Sequence, residues 1–411
     1  MRLVATLRTS AVAFAFATLV AGCSGSYGGA VAPIAGGTTP THTPTPASTG
    51  SPTAAPSGTP SATPTPVLTA TPTPKPTAVP TASPTPTPNP SVISVSPGTW
   101  TFVPFPNSHC ADGSTTGLAV NPGTGTDLVI YFEGGGECWD SLTCLTLQTA
   151  ANTNGYTAAT FAAEEPSFKG SVLDRTLANN PFATANLVYV PYCTGDDHAG
   201  NNVATYVANN VSHQFHHVGY ANVQAFLTRI FPTWPSPHHL IVTGSDAGGY
   251  GALFDFDTLQ KQWPATPAYL IDDSGPPLEN GIFNPPSTLS DIFTNWNLGA
   301  LLDPLCSCRN GFSPALAALQ TKYPNDRLSL LSYEQDSVIP SYYGITASQF
   351  ETDLLALGSG VITTPNSKYF FVNAQGHVLL FNPASLTQGV NLVTWLGQQV
   401  NDSSSWASQK P

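Results

Sequence analysis

The sequence predicts an α/β fold, a mostly parallel central sheet with helices on both faces, and two observations carry that expectation. The first is a series of short runs rich in β-branched and aromatic residues: Leu128 to Phe132, Leu187 to Val190, Leu240 to Thr243, Tyr269 to Ile271, Leu328 to Tyr333 and Tyr369 to Val372. They are apolar at nearly consecutive positions, as strands covered on both faces are, and most run into Gly- or Asp-containing segments. The second is the helical spacing between some of them. Val223, Phe226, Leu227 and Ile230 share one face, and Ala252, Leu253, Phe256 and Leu259 share another. No internal repeat is apparent.

Three regions precede or contain these elements. Residues 1–22 begin with Arg2 and Arg8, continue through an apolar run from Ala11 to Val20, and end in small residues before Cys23. That is a secretory signal of the lipoprotein kind, and its apolar run is too short to span a bilayer. Lipidation of Cys23 is therefore expected, and with it a membrane contact made through that anchor alone. Residues 23–94 are dominated by Thr, Pro, Ser, Ala and Gly, with repeated Thr-Pro pairs, and predict an unstructured, semi-rigid tether. Residues 95–411 are the folded domain, long enough for one large core.

Composition narrows the partners. Charged residues make up 9% of the chain, and 24 acidic against 12 basic residues leave a formal charge of -12. Such a surface disfavours nucleic acid and is not drawn to polyanions. Of the seven cysteines, Cys23 belongs to the signal region. The other six, Cys110, Cys138, Cys144, Cys193, Cys306 and Cys308, form an even set in an exported chain, which favours disulfides over free thiols. Their spacing lacks paired Cys-x-x-Cys knuckles, so no metal site is expected, and no nucleotide loop implies a cofactor. Cys306 and Cys308 lie too close together for an easy mutual bridge. A monomer is expected.

The chemistry-bearing residues gather after the strand runs, at the ends where open α/β sheets place their sites. The first run leads into Glu133-Gly134-Gly135-Gly136-Glu137-Cys138-Trp139, and the second into Pro191-Tyr192-Cys193-Thr194-Gly195-Asp196-Asp197-His198. The third leads into Gly244-Ser245-Asp246-Ala247-Gly248, then a helical pattern. Strand, Gly-x-Nu-x-Gly and helix make a nucleophile elbow, in which the central side chain projects and its flanks must be small. Asp246 holds the projecting position. Asp336 and His377 follow in the chain order of an α/β-hydrolase acid and histidine. The amides of Gly135, Gly136 and Ala247 are candidates for an oxyanion hole. Trp139, Tyr192, His198 and Tyr250 are candidates for the pocket lining. Of the other histidines, His216 and His217 are expected near the start of a helix, and His238-His239 before a strand.

Residues 100 to 395 resemble the pectin acetylesterases and the carboxylesterase Notum. The ordered motifs are His109-Cys110-Ala111-Asp112-Gly113-Ser114, Phe132-Glu133-Gly134-Gly135-Gly136 with Cys138 and Cys144, Pro191-Tyr192-Cys193, the elbow, Asp336-Ser337 and Gly376-His377. The resemblance implies disulfides Cys138–Cys144 and Cys110–Cys193. It also implies an exported carboxylic ester hydrolase acting on acyl esters of a glycan or on a small ester. The family's elbow reads Gly-x-Ser-Ala-Gly-Gly, whereas this chain has Asp246 at the serine position and its serine, Ser245, one residue early.

Three accounts stand open at this point. Asp246 attacks a saturated carbon, as in dehalogenases and epoxide hydrolases, and His377-activated water hydrolyses the resulting ester. Alternatively Ser245 attacks through a shifted turn flanked by Thr243 and Ala247, which keeps acyl chemistry at the cost of strain. In the third account catalysis is lost or altered: the cleft binds a glycan or other ligand, or Asp246 acts as a general base on water while the loop amides hold a carbonyl. With Asp246 and Asp336 both beside it, His377 is expected to be held protonated.

Overall fold

The computed structural model describes residues 92–279 and 281–410. The expected signal segment, Cys23 and nearly all of the expected tether lie outside the described residues. Eight strands form one sheet: β1 Thr101–His109, β2 Thr115–Asn121, β3 Leu128–Phe132, β4 Asn186–Val190, β7 Leu240–Ser245, β8 Ala268–Asp273, β9 Arg327–Asp336 and β10 Ser367–Gly376. A two-stranded hairpin, β5 Asn202–Ala208 with β6 Val211–His217, stands apart from it. Spatial order in the sheet is β1-β2-β4-β3-β7-β8-β9-β10. The pairs from β4 to β10 are parallel, while β1 with β2 and β2 with β4 are antiparallel.

The six apolar runs in the sequence are the six parallel strands, and side-chain alternation explains why they are apolar at nearly every position. In β3, Leu128, Ile130 and Phe132 enter one core, and Val129 and Tyr131 enter the other. β7 and β8 divide in the same way, with Val242 and Leu270 on the first face and Ile241 and Ile271 on the second. The first face is covered by helices Gly219–Thr233 and Ala247–Gln262, through Val223, Phe226, Ala252, Leu253 and Phe256. The second is covered by Leu392–Val400 and Ala158–Glu164, through Trp395, Leu396 and Phe161. Both faces are thus dry, which is the arrangement a parallel sheet needs. Among the described residues, no helix is long and apolar enough to cross a membrane.

Three disulfides are formed: Cys110–Cys193, Cys138–Cys144 and Cys306–Cys308. The last corrects the expectation that Cys306 and Cys308 are too close to bridge. The chain between them does not run fully extended, and their Cα atoms lie 5.3 Å apart, within the span a disulfide accepts. His216 and His217 end β6, one residue before the helix that starts at Gly219, and so lie near the start of a helix as expected.

Candidate active site

β7 ends at Ser245 and the next helix starts at Ala247, leaving a single residue, Asp246, to reverse the chain. Asp246 accordingly sits at φ 59° and ψ −126°, a conformation rarely adopted by a non-glycine residue and characteristic of a sharp strand-to-helix elbow. The turn is possible because its flanks lack side chains. A Cβ on Gly248 would stand 2.0 Å from the Phe132 carbonyl oxygen, and one on Gly244 would stand 2.2 Å from that of Gly248. The small-flank requirement therefore falls on Gly244 and Gly248, and Asp246 is the projecting residue.

Its carboxylate bridges two features. Gly135 and Gly136 donate their backbone N–H groups to Asp246 Oδ2 at 2.7 Å and 2.8 Å. Asp246 Oδ1 lies 3.4 Å from His377 Nε2, and His377 Nδ1 lies 3.0 Å from Asp336 Oδ2. Asp336 is fixed in turn by the amides of Val338 and Ile339, which donate to its Oδ1. The three strand ends thus deliver an acid, a histidine and a projecting carboxylate in line, and the glycine loop after β3 holds the carboxylate's far oxygen. Ala247 lines the same cavity, but the amides that hold Asp246 are those of Gly135 and Gly136.

Electrostatics follow from this placement. Burial alone would push the His377 imidazole down, but hydrogen bonds and charge from Asp246 and Asp336 outweigh it and hold the ring up at about 10. Burial would likewise raise Asp246, yet His377 and the two glycine amides carry it below the usual carboxylate range. The resting state is an ion pair between an Asp246 carboxylate and a His377 imidazolium.

Ser245 is placed elsewhere. Its hydroxyl donates to Asp273 Oδ2 at 2.7 Å and accepts from the Tyr131 hydroxyl at 3.0 Å, and the residue is 3% exposed. Thr243 lies inside β7, its hydroxyl bonded to the Ile271 carbonyl, so the shifted turn that would present Ser245 does not form. The sequence reading missed Asp273. Besides Ser245, it accepts from the amides of Leu379 and Leu380 and so fastens the segment carrying His377. Its position at the carboxyl end of a strand run, in Asp272-Asp273-Ser274-Gly275, was the available signal.

Beside Asp246 lies a cavity of about 20 Å³, lined by Gly136, Glu137, Asp197, Tyr250, Phe283 and Tyr342 among others. A water needs roughly 10–15 Å³ on this measure, so there is room for little more than one. Tyr250 is where the sequence suggested; its hydroxyl donates to the Pro276 carbonyl. Trp139, Tyr192 and His198 do not line this cavity. Tyr192 is fully buried, and its hydroxyl accepts from the Asp197 amide. His198 is pushed down to about 4 by burial and bonds the Glu133 carbonyl at 2.8 Å. Trp139 packs against the core, its carbonyl accepting from Asn295. All three are drawn into supporting the loops instead. The sequence reading also missed Glu137 and Asp197, neighbours whose carboxyls share a hydrogen bond. Burial pushes Glu137 up to about 8 and raises Asp197 as well, so the pair holds a proton at neutral pH.

The elbow, the glycine loop and the first two strand ends lie in the part of the chain that the pectinacetylesterase family model matches, residues 99–299. Over these residues the chain is similar to the pectinacetylesterases. A stretch of 165 residues is also 27% identical to the palmitoleoyl-protein carboxylesterase NOTUM of Schmidtea mediterranea, covering 38% of this chain and 30% of that protein. The chain thus spans about a third of the relative it matches. Asp336 and His377 lie beyond the matched pectinacetylesterase segment, and it is the structure that brings them to the elbow.

Proposed function

We propose that this protein is an exported, lipid-anchored hydrolase that cleaves an ester of a glycan or small molecule through a covalent intermediate on Asp246. One observation carries the reading: Asp246 Oδ2 sits in the glycine-loop amides while Oδ1 faces His377. With the hole filled by the enzyme's own oxygen, a substrate carbonyl finds no stabilising amides there, which disfavours attack at the acyl carbon. Attack at a saturated carbon needs no such hole. Oδ1 forms a bond to that carbon, most readily an activated one such as the anomeric carbon of an acylated sugar, and the acyl carboxylate departs with the bonding pair. His377, its pKa lowered once Asp246 is no longer charged, gives its proton to that carboxylate and is left neutral.

The hole then serves the second half of the reaction. Asp246 is now an ester whose carbonyl oxygen is Oδ2, already between Gly135 and Gly136. Loss of its charge lowers the pKa of His377, which can then take a proton from water as that water attacks the ester carbon. The oxyanion forms on Oδ2, where the two amides hold it. Collapse releases the alcohol, which takes the proton from His377, and restores the carboxylate with an oxygen from water. Net products are the acid and the alcohol of an ordinary ester hydrolysis. Three disulfides suit a chain folded in an oxidising compartment, and Cys23 supplies the anchor in this reading.

Turnover of an acylated sugar in H₂¹⁸O tests it. The label is expected in the alcohol after the first turnover and not in the acid, and His377→Ala is expected to accumulate an alkyl adduct on Asp246, seen by intact mass. Label in the acid would sink the Asp246 route. A second reading, a ligand-binding protein without turnover, is favoured by the closed ion pair and the water-sized cavity. It predicts calorimetric binding of an acylated glycan with no product and no adduct.

A further inference from the structure

At the opposite end of β3 and β7 from Asp246 lies a cluster with no part in that chemistry. Asp127 immediately precedes β3, and His238 and His239 immediately precede β7. The two segments are laced by the backbone bonds His238 N to Thr126 O and Leu128 N to His239 O. Successive side chains of an extended segment point to opposite sides, so neighbouring histidines do not ordinarily meet one group. Here they do. Their ring centroids are 3.9 Å apart, and each Nδ1 lies 3.3 Å from the same oxygen, Asp127 Oδ1. That oxygen is buried and makes no hydrogen bond to either ring or to any other donor. One carboxylate oxygen and two imidazole nitrogens thus converge from separate residues on a common point.

We infer that Asp127, His238 and His239 form a zinc-type divalent metal site that ties together the amino ends of β3 and β7. Zinc takes His nitrogen and carboxylate oxygen at roughly 2.0–2.1 Å, and neighbouring corners of such a tetrahedron stand about 3.3 Å apart. The two observed oxygen–nitrogen separations match that edge, and all three donor atoms lie within 4.8 Å of one another. The side chain of His238 is 67% exposed, so its ring is free to adjust and the fourth position is open to water. Two imidazoles and one carboxylate exclude magnesium, which prefers an all-oxygen shell, and suit zinc, with nickel or copper as competitors. The ion would clamp the strands whose far ends carry the glycine loop and Asp246.

The test uses the whole chain, purified without a histidine tag and stripped with chelator, titrated with Zn²⁺ and separately with Mg²⁺ by calorimetry and thermal unfolding. Expected are one zinc per chain, a rise in Tm of several degrees, and no response to magnesium. His238→Ala, at an exposed side chain, is expected to fold normally and to lose at least tenfold in zinc affinity. The double variant Asp127→Asn with His238→Ala is expected to lose the Tm rise altogether. Zinc binding unchanged in the double variant, or no zinc-induced Tm rise in the unaltered chain, would overturn the site and leave an Asp–His contact only.

Discussion

At His377, burial and charge act in opposite directions, and charge wins because two carboxylates address the two ring nitrogens separately. Removing one should be readable at the ring. Asp246→Asn is expected to lower the His377 pKa by about one to three units, measured by NMR titration of the imidazole; an unchanged value would mean that Asp336 alone holds the proton. The same shift sets a pH dependence. The folded-state pKa of His377, about 10, lies above its ordinary 6.5, so its stabilisation is complete below pH 6.5 and is lost as pH rises through 10. Glu137, raised from 4.5 to about 8, acts in the same direction at lower pH, since its favoured form is the protonated one. The joint contribution of these two groups should therefore fall from pH 5 to pH 8, and the slope of stability against pH in Glu137→Gln should be less negative than in the parent, which urea unfolding at stepped pH will show. Asp246 was legible in the sequence as a departure from Gly-x-Ser-x-Gly. The seating of its Oδ2 in the glycine amides was not, because that depends on where a loop more than a hundred residues earlier comes to rest.

The element that fixes the chemistry is the elbow pressed against β3. Its closest approach is between the Gly248 backbone and the Phe132 carbonyl, and the neighbour there is backbone, unable to swing aside. Gly248→Ala is expected to destabilise the fold by about 3 kcal/mol, with a lower urea midpoint; a midpoint unchanged from the parent would show that β3 and the elbow can separate. The six parallel strands were readable because burial on both faces makes them apolar at almost every position. β1 and β2 were not; β1 alternates buried and exposed positions only over Val103 to Pro106, ends in Asn-Ser-His, and carries Pro104 and Pro106, as an edge strand can. The β5–β6 hairpin was missed because no clean alternation marks it: Val203, Val207 and Val211 are exposed beside Thr205, Ser212, His213 and Gln214, so apolar residues fall on both of its faces. Asp273 escaped because its partners, Leu379 and Leu380, are backbone amides more than a hundred residues away, and sequence spacing cannot show them.

Across the whole molecule, the site is assembled from segments far apart in the chain, and covalent links hold two of them. Cys110–Cys193 closes a loop of 83 residues and ties the end of β1 to the loop after β4. The Cys110→Ser, Cys193→Ser double variant should lose about 4–5 kcal/mol, read by urea unfolding; a loss under ~1 kcal/mol would show that packing alone fixes the edge. The cavity draws on the loops after β3 and β4, the elbow, the region after β8 through Phe283 and Phe312, and the region after β9 through Tyr342 and Tyr343. Each contributes a wall, and together they leave about 20 Å³. This assembly remains suited to acyl chemistry in every respect but the tip of the elbow. Asp246→Ser would empty the glycine amides for a substrate oxyanion, remove one of the charges that keep His377 protonated, and leave Asp336 to orient a ring now able to act as base. The variant is expected to hydrolyse p-nitrophenyl acetate at least ~100-fold faster than the parent, the scale of a restored oxyanion hole. Because the walls admit little more than a methyl group, p-nitrophenyl octanoate should gain nothing. Equal gains on both esters would show that the cavity opens freely. No gain on either would show that Asp246 is bound up with the architecture of the site as well as with its chemistry.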